Sequence, residues 1–382
     1  MTATRTDEVR TDAEVLYMAL ELSGAKWRVA FASPANPRTP QWSLEAGDLA
    51  GLLRVLERAR SKLGVSSAAV VRSVYEAGRD GFWLHRWLQA QGIDNRVIDA
   101  GSVEVASARK RRKTDRLDAR LLLRKLQAFW GGDRRVFSVV RVPPPEVEDL
   151  RRLERERERL VGEQTGHKNR IASLLALVGH PRERLDAQLP QRLQQLRQWD
   201  GSPLPPTLVA EIEREWARLQ QVVQQRRAVE AERRRLVEDR GDSPALQVVR
   251  ALTRLKGVGP TSAWVLSLEL LGWRSFANRR QVASVAGLTP APYDSGQMRS
   301  DQGIDKHGNR RVRAVMIELA WRWLYWQPDS ALSRWFHQRY GAGASRRQRR
   351  IGIVALARRL LGQLWRYIDR GELDTTVVLR AA

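Results

Sequence analysis

Residues 15–32 read VLYMALELSGAKWRVAFA. Val15–Leu22 is an apolar run of strand length broken by one acid, Glu21. Ser23–Ala25 supplies turn residues, and Trp27–Ala32 reads as a second strand. Outward from this pair the pattern alternates. Residues 46–63 place Leu49, Leu52, Leu53 and Leu56 at helical spacing, and 68–75 is another apolar, β-rich run that ends at Glu76. Residues 81–91 read as a helix and 95–98 as a short strand. Strands alternating with helices predict a mostly parallel or mixed sheet with helices packed on it. In such sheets active sites form where strands end, and that is where Glu76 falls.

The next segment, Ala108–Arg120, reads ARKRRKTDRLDAR. Arg109, Lys110, Arg111, Arg112 and Lys113 lead straight into Asp115 and Asp118, on a helix expected to run to about Gln127. Three-residue spacing puts both carboxylates on one helix face. Two acids held that close repel each other, a divalent cation offsets the repulsion, and the neighbouring cations suit a phosphate backbone. A plainer role also fits. Thr114 or Asp115 could cap the helix, with Asp118 at the capping-box position favouring the helix dipole.

Composition narrows the classes. The chain has 382 residues, enough for two or three domains. Its formal net charge is +24, which fits a polyanionic partner better than a metabolic enzyme. Only eight of the 67 basic residues are Lys. Codon bias accounts for Arg over Lys but not for the excess of positive charge, and guanidinium groups grip phosphate bidentately. With no Cys, thiolate zinc sites, disulfides and Cys nucleophiles are excluded, so a bound metal would be Mg²⁺ or Mn²⁺ on oxygen ligands. No apolar run reaches membrane-spanning length and the N-terminal stretch has no hydrophobic signal region, so a soluble, intracellular protein is expected. Among 14 Trp, those such as Trp83, Trp87, Trp321 and Trp335 sit in helix-like apolar patterns and are expected to pack in cores.

Val142-Pro-Pro-Pro145 is a stiff break. Beyond it, 146–178 and 207–238 carry apolar residues at three-four spacing in a Glu- and Arg-rich background, which predicts a long helical hairpin or coiled coil. Residues 181–206 read as a polar insertion. In LTRLKGVGPTSAWVLSLELL (252–271), the Gly257-Val-Gly259-Pro turn between two helical segments has the pattern of a helix-hairpin-helix, whose small residues let backbone N–H groups approach phosphate beside Lys256. A helix over roughly 278–286, a loop over 287–309, a Trp-rich helix over about 310–326 and a last helix over about 346–369 complete the chain.

The stretches ALELSGAKWRVA, VYEAGRDGFWLHRWL, KTDRLDARLL, LKGVGPTSAWVL and GLTPAPYDSGQMRSDQGIDKHGNRRVR occur in that order at both ends of the chain. Together they resemble the insertion-sequence transposases of the IS110 family, relatives of the Piv and MooV invertases. The resemblance implies a ribonuclease H-like, RuvC-like N-terminal domain whose four acids, Glu21, Glu76, Asp115 and Asp118, hold Mg²⁺. The first acid of the family pattern is usually Asp; here Glu21 places its carboxylate one methylene further from the backbone. By resemblance Ser295, in Ser295-Gly296, is the nucleophile of a DNA strand-transfer reaction that passes through a covalent serine–DNA phosphodiester and needs no nucleotide cofactor. Asp-Ser-Gly is also ordinary turn chemistry. Asp294, Lys306, His307 and Arg313 surround the serine in sequence without a pattern that fixes a base. Gly303, Gly308 and Asn309 match family positions that shape the backbone, and Lys306 and Arg313 match basic positions that hold the scissile phosphate.

The resemblance further implies donor and target DNA as substrates and a structured bridge RNA that reads sequence by base pairing. The coiled-coil region suggests a dimer, joining two DNA sites suggests a tetramer built of two dimers, and a cytoplasmic bacterial protein that joins the nucleoid when bound to DNA is expected. The expected fold class is α/β plus all-α. The expected domains are a RuvC-like DEDD domain over 12–141, a helical coiled-coil or dimerisation region over 146–240 and a mostly helical C-terminal domain over 243–375. Two other functions remain compatible with the residues: a metal-dependent junction nuclease with a structural serine, and a non-catalytic nucleic-acid scaffold.

Overall fold

The computed structural model describes residues 14–102, 115–239, 243–295, 298–304 and 307–380. The chain divides into two compact units at Val142/Pro143. In the first, β1 (Val15–Leu22), β2 (Lys26–Ala32), β3 (Gln41–Glu45), β4 (Val70–Glu76) and β5 (Asp94–Ile98) form a five-stranded sheet of order β3-β2-β1-β4-β5. The hairpin β1–β2 and the edge strand β3 are antiparallel; β4 and β5 run parallel to β1. Helix α1 (Leu49–Leu63) connects β3 to β4, α2 (Trp83–Ala90) connects β4 to β5, and α3 (Asp115–Trp130) follows β5. The edge strand β3, QWSLE, went unread in the sequence because it is short and half exposed.

Strand alternation sorts side chains onto two faces. Leu16, Met18 and Leu20 of β1 join Trp27, Val29 and Phe31 of β2 beneath α1 and α2. Tyr17, Ala19, Ala30, Ala32, Val74 and Ile98 point the other way, beneath Ala119, Leu122, Leu123, Leu126 and Phe129 of α3. The unit is therefore a three-layer sandwich, with one face of the sheet reserved for α3.

The second unit begins with α4 (Pro145–Ala176) and α6 (Pro206–Glu238), an antiparallel pair of long helices. Arg157 meets Glu230 and Arg170 meets Glu211, so numbers rise along one helix as they fall along the other. The polar insertion between them is not merely polar. Leu189 and Leu193 of the short helix α5 (Leu189–Leu193), with Leu204, are buried against Ile171, Leu174, Leu175, Ile212 and Leu219 and close the far end of the pair. Its polar residues fold the chain back, as Arg192 pairs with Glu183 and Asp186 at 2.6 and 2.7 Å.

A helical assembly follows: α7 (Pro244–Thr253), α8 (Pro260–Leu266) continued by a π turn over Ser267–Leu271, α9 (Arg279–Val285), α10 (Arg310–Trp326), α11 (Ala331–Tyr340) and α12 (Arg346–Arg370). Its core contains Trp264, Leu319, Trp323, Leu360 and Leu364. The tryptophans expected in cores divide. Trp87 and Trp335 pack against the clusters, but Trp83 and Trp321 are 42% and 50% exposed, and Trp27, Trp264 and Trp323 are the fully buried ones. Helical spacing alone does not say which side of a wide apolar stripe faces inward. Residues 287–309 also differ from the expected loop: they contain an antiparallel ribbon, β6 (Pro290–Ser295) and β7 (Met298–Ile304). Pro290 and Pro292 lack ladder donors, which hides this strand from a propensity reading. Among the described residues, no helix is long and apolar enough to cross a membrane.

Candidate functional site

Glu21 and Glu76 come together through register. Strands β1 and β4 pair in parallel up to Leu20 opposite Tyr75, so the next residues, Glu21 and Glu76, stand level at the C-terminal ends of the two strands. Side-chain alternation puts both on the face that carries Ala19 and Val74, the face covered by α3. The direction of α3 follows from its other end. Arg72, near the start of β4, stacks on Trp130 with 3.9 Å from guanidinium carbon to ring centroid, so α3 runs antiparallel to β4. Asp118 lies 12 residues before Trp130, about 18 Å back along the helix axis, and so at the same end of the sheet as the two glutamates. Ala119, its neighbour on α3, is fully buried against the sheet.

Asp118 is half buried, and its Oδ2 is sealed from solvent with no hydrogen-bond donor among the described residues. A buried acceptor left unmet costs about 1–3 kcal/mol, more when charged, and a hard cation would offset that. Oxygen donors on one face suit Mg²⁺ or Mn²⁺ in kind. Among the described residues, however, no group of three or more His, Asp or Glu stands close enough to hold a metal. Asp115 is described only as the first residue of α3, and its side chain lies outside the described set, as do Arg109, Lys110, Arg111, Arg112 and Lys113.

Ser295 is the last residue of β6, opposite Met298 at the end of the ladder. Gly296 and Lys306 lie outside the described residues. The far end of the ribbon is fixed firmly. A Cβ on Gly308 would fall 2.1 Å from the backbone N of Gly287 and 2.5 Å from the carbonyl of Val285, so only glycine fits. Gly303 has φ +90°, a conformation glycine alone adopts without strain. Asn309 donates its backbone N–H to the Val285 carbonyl at 2.7 Å, and its Oδ1 caps α10 by accepting from Arg311 N and Val312 N. Its Nδ2 donates to Oε2 of Glu269 at 3.0 Å.

Glu269 is the residue that sequence reasoning missed. It is 7% exposed, sits in the π turn, and pairs with Arg151 of α4 at 3.5 Å. Arg151 Nε also donates to the Leu268 carbonyl at 2.8 Å, and its guanidinium lies 4.9 Å from the Trp273 ring centroid. Burial pushes the Arg151 guanidinium below its ordinary value, opposed by the Glu269 charge. A chain of contacts thus runs from α4 through Glu269 to the cap of α10. The signal was present as a lone acid inside the apolar run LSLELL.

The remaining basic candidates are scattered. Arg313 is half buried and reaches the Gly308 carbonyl at the 3.5 Å limit of a hydrogen bond. Lys256 is exposed, with its ammonium 5.6 Å from the Trp326 ring centroid. Gly257 has φ +95°, and a Cβ there would lie 3.0 Å from Trp326 Cβ, so this glycine is a packing requirement as well as a turn. Gly259 is the N-cap residue of α8.

Known proteins match this layout. The model of the IS116/IS110/IS902 transposase family matches residues 249–335, from the Gly257–Pro260 turn through the ribbon that carries Ser295. The DEDD transposase model of IS110 matches residues 45–179, which include Glu76, Asp115 and Asp118 but not Glu21. A Sinorhizobium fredii protein, y4rJ, named as a transposase, is 40% identical over 391 residues, covering 97% of this chain and 96% of its own. The chain belongs to the IS110 family of transposases. A second S. fredii protein named as a transposase, y4qE, is 26% identical over 82% of this chain and 73% of its own length. An IS110 insertion-element protein of Streptomyces coelicolor is 29% identical over 39% of this chain and 34% of its own. An IS110 transposase is a DNA-cutting enzyme of an insertion sequence, and its DEDD domain is of a type that uses a divalent metal.

Proposed function

We propose that this transposase cuts and rejoins DNA through a covalent bond between Ser295 and a DNA phosphate. The Ser295 Oγ would attack the scissile phosphorus, forming the Oγ–P bond as a P–O bond to one DNA oxygen breaks. The proton lost by the hydroxyl would leave to solvent or to the departing oxygen. A DNA hydroxyl would then attack the same phosphorus and release the serine, so the number of phosphodiesters is conserved and no nucleotide is consumed. Lys306 and Arg313 would hold the phosphate during both steps, and the Gly257–Gly259 turn with Lys256 would grip the backbone nearby.

In this reading the sandwich unit is a RuvC-like fold, and Glu21, Glu76, Asp115 and Asp118 hold Mg²⁺. The metal would supply charge stabilisation to the oxygens of a bound DNA phosphate. The level placement of Glu21 and Glu76 under α3, with Asp118 Oδ2 buried and without a partner among the described residues, is the observation that supports this half. Glu21 reaches one methylene further than the usual Asp, and it precedes the part of the chain matched by the DEDD model. The basic run Arg109–Lys113 would hold phosphate beside the acids. A bridge RNA would select donor and target sites by base pairing, with the α4–α6 pair joining protomers into dimers and tetramers; the +24 charge suits nucleic-acid binding and has the sign that DNA alone would also ask for.

The acid half is tested by cutting a labelled element-end DNA, in the presence of the element's RNA, with and without Mg²⁺. Wild type should cut only with the metal. Glu76→Gln and Asp118→Asn should bind DNA as wild type does and fail to cut. Cutting that survives both substitutions would make the unit a scaffold and overturn the reading.

A further inference from the structure

A cleft of about 880 Å³ opens between α9 and α12, beside Thr289 and Pro290 where β6 begins. Arg279 and Arg280 line it from α9; Arg358, Arg359 and Arg366 line it from α12. Arg359 is held 4.0 Å from the Trp335 ring centroid. Among the described residues, Arg279, Arg280, Arg358 and Arg366 have no carboxylate partner. The two acids of the lining are engaged elsewhere. Asp374 accepts from Thr376 N and Oγ1 at 3.0 and 2.7 Å, and Glu372 faces Arg370 at 3.9 Å.

Gln363 lines the same cleft, is 8% exposed, and its Oε1 is buried without a hydrogen-bond partner. Its Nε2 makes no hydrogen bond among the described residues either. Such an amide is retained against its cost when a ligand completes it. Unpaired guanidinium groups call for phosphate. A phosphodiester has only acceptor oxygens and leaves Oε1 unmet. A nucleobase edge offers an N–H beside an acceptor, the pattern that Gln reads bidentately. In a duplex Gln reads that pattern on the adenine N6/N7 edge from a side chain that projects into the major groove; an amide only 8% exposed inside a cleft instead needs a base turned out of the stack, which a single strand allows.

We propose that this cleft holds one nucleotide of a single-stranded nucleic acid, with flanking phosphates on Arg279, Arg280, Arg358 and Arg366 and the base edge on the Gln363 amide. The inference rests on the nucleic-acid-binding part of the reading above and not on Ser295. It places a base-sensing subsite at the root of the strand that ends in Ser295.

The test is fluorescence anisotropy of the full chain without divalent metal, so that no cutting intervenes. The probes are a short single-stranded DNA, its RNA counterpart, and an abasic DNA of equal length. Arg358→Ala with Arg366→Ala should weaken all probes and make the slope of log K against log salt shallower by about 1.4, two contacts at ~0.7 each. Gln363→Met should lose about tenfold on probes with bases and nothing on the abasic one. Its Tm should hold or rise, since the substitution removes an unmet buried amide. Loss on DNA alone names DNA as the strand, and loss on RNA alone names RNA; either supports the site. An unchanged salt slope, or a Gln363→Met protein that still separates bases from abasic sugar, would overturn it. Those failures leave wild-type cutting intact and so are distinct from failure of the transposition chemistry.

Discussion

Asp118 concentrates a local conflict: an acceptor oxygen buried at the first turns of α3 with nothing among the described residues to donate to it. Structural carboxylates are not left this way, because the desolvation cost returns nothing. Asp118→Asn changes charge with little change in shape. We expect thermal denaturation to show an unchanged or raised Tm while DNA cutting is lost, the signature of a group kept for function rather than for folding. A fall of several degrees in Tm would instead make Asp118 a structural residue. His85 shows the opposite situation. Its Nδ1 faces the Asn95 amide Nδ2 at 2.9 Å, and Ser73 Oγ lies 2.7 Å from Asn95 Oδ1, so the ring accepts from Asn95 and must be neutral. Burial first, then Arg96 and Arg86, hold its pKa below the ordinary 6.5, with Asp94 opposing. Because the folded value is depressed, this contribution is present above pH 6.5 and is lost as pH falls through the folded value. Unfolding followed across that window should show stability declining with acid, and His85→Gln should remove that part of the slope.

At the scale of elements, the α4–α6 pair combines a thin apolar seam with buried ions. Leu160, Val222 and Val229 form a small cluster, and beside it Glu154 and Arg233 pair at 2.5 Å while 8% and 5% exposed. Arg233 also stacks on Trp264 at 4.7 Å, which ties the long helices to the C-terminal core. Burial raises the Glu154 carboxyl and lowers the Arg233 guanidinium, each opposed by the other's charge. Removing one member of such a pair leaves the other uncompensated. Glu154→Gln should therefore cost about 3–5 kcal/mol in denaturant unfolding, whereas Glu154→Leu with Arg233→Met should fall near wild type. If Glu154→Gln is neutral, the pair does not anchor the helices to the core.

Across the whole molecule, what was legible depended on whether chemistry and pattern coincided. The β1–β2 hairpin was readable because both of its faces are buried and the acid in it interrupts an otherwise apolar run. The long helices were readable from spacing, but the α5 clasp was not, since three leucines in a polar segment acquire meaning only when the helix ends meet them. Glu76 and Asp118 could be named from sequence; that Glu21 stands level with Glu76 required the register of β1 against β4. Strand β6, which ends in Ser295, carries no strand signal in the sequence because its prolines remove ladder donors. The Glu269–Asn309 contact that fixes its far end joins residues forty positions apart and has no local signature.

The proposed covalent serine–DNA intermediate can be trapped and located on the chain. Wild-type protein is reacted with labelled DNA and Mg²⁺, denatured, digested with protease, and the nucleotide-bearing peptide is sequenced by mass spectrometry. A phosphodiester on Ser295 is expected, with no adduct from Ser295→Ala, whose fold is checked by its Tm. Rejoined strands from Ser295→Ala, or cut DNA from wild type with no protein attached, would contradict it and leave a metal-dependent nuclease with a structural serine.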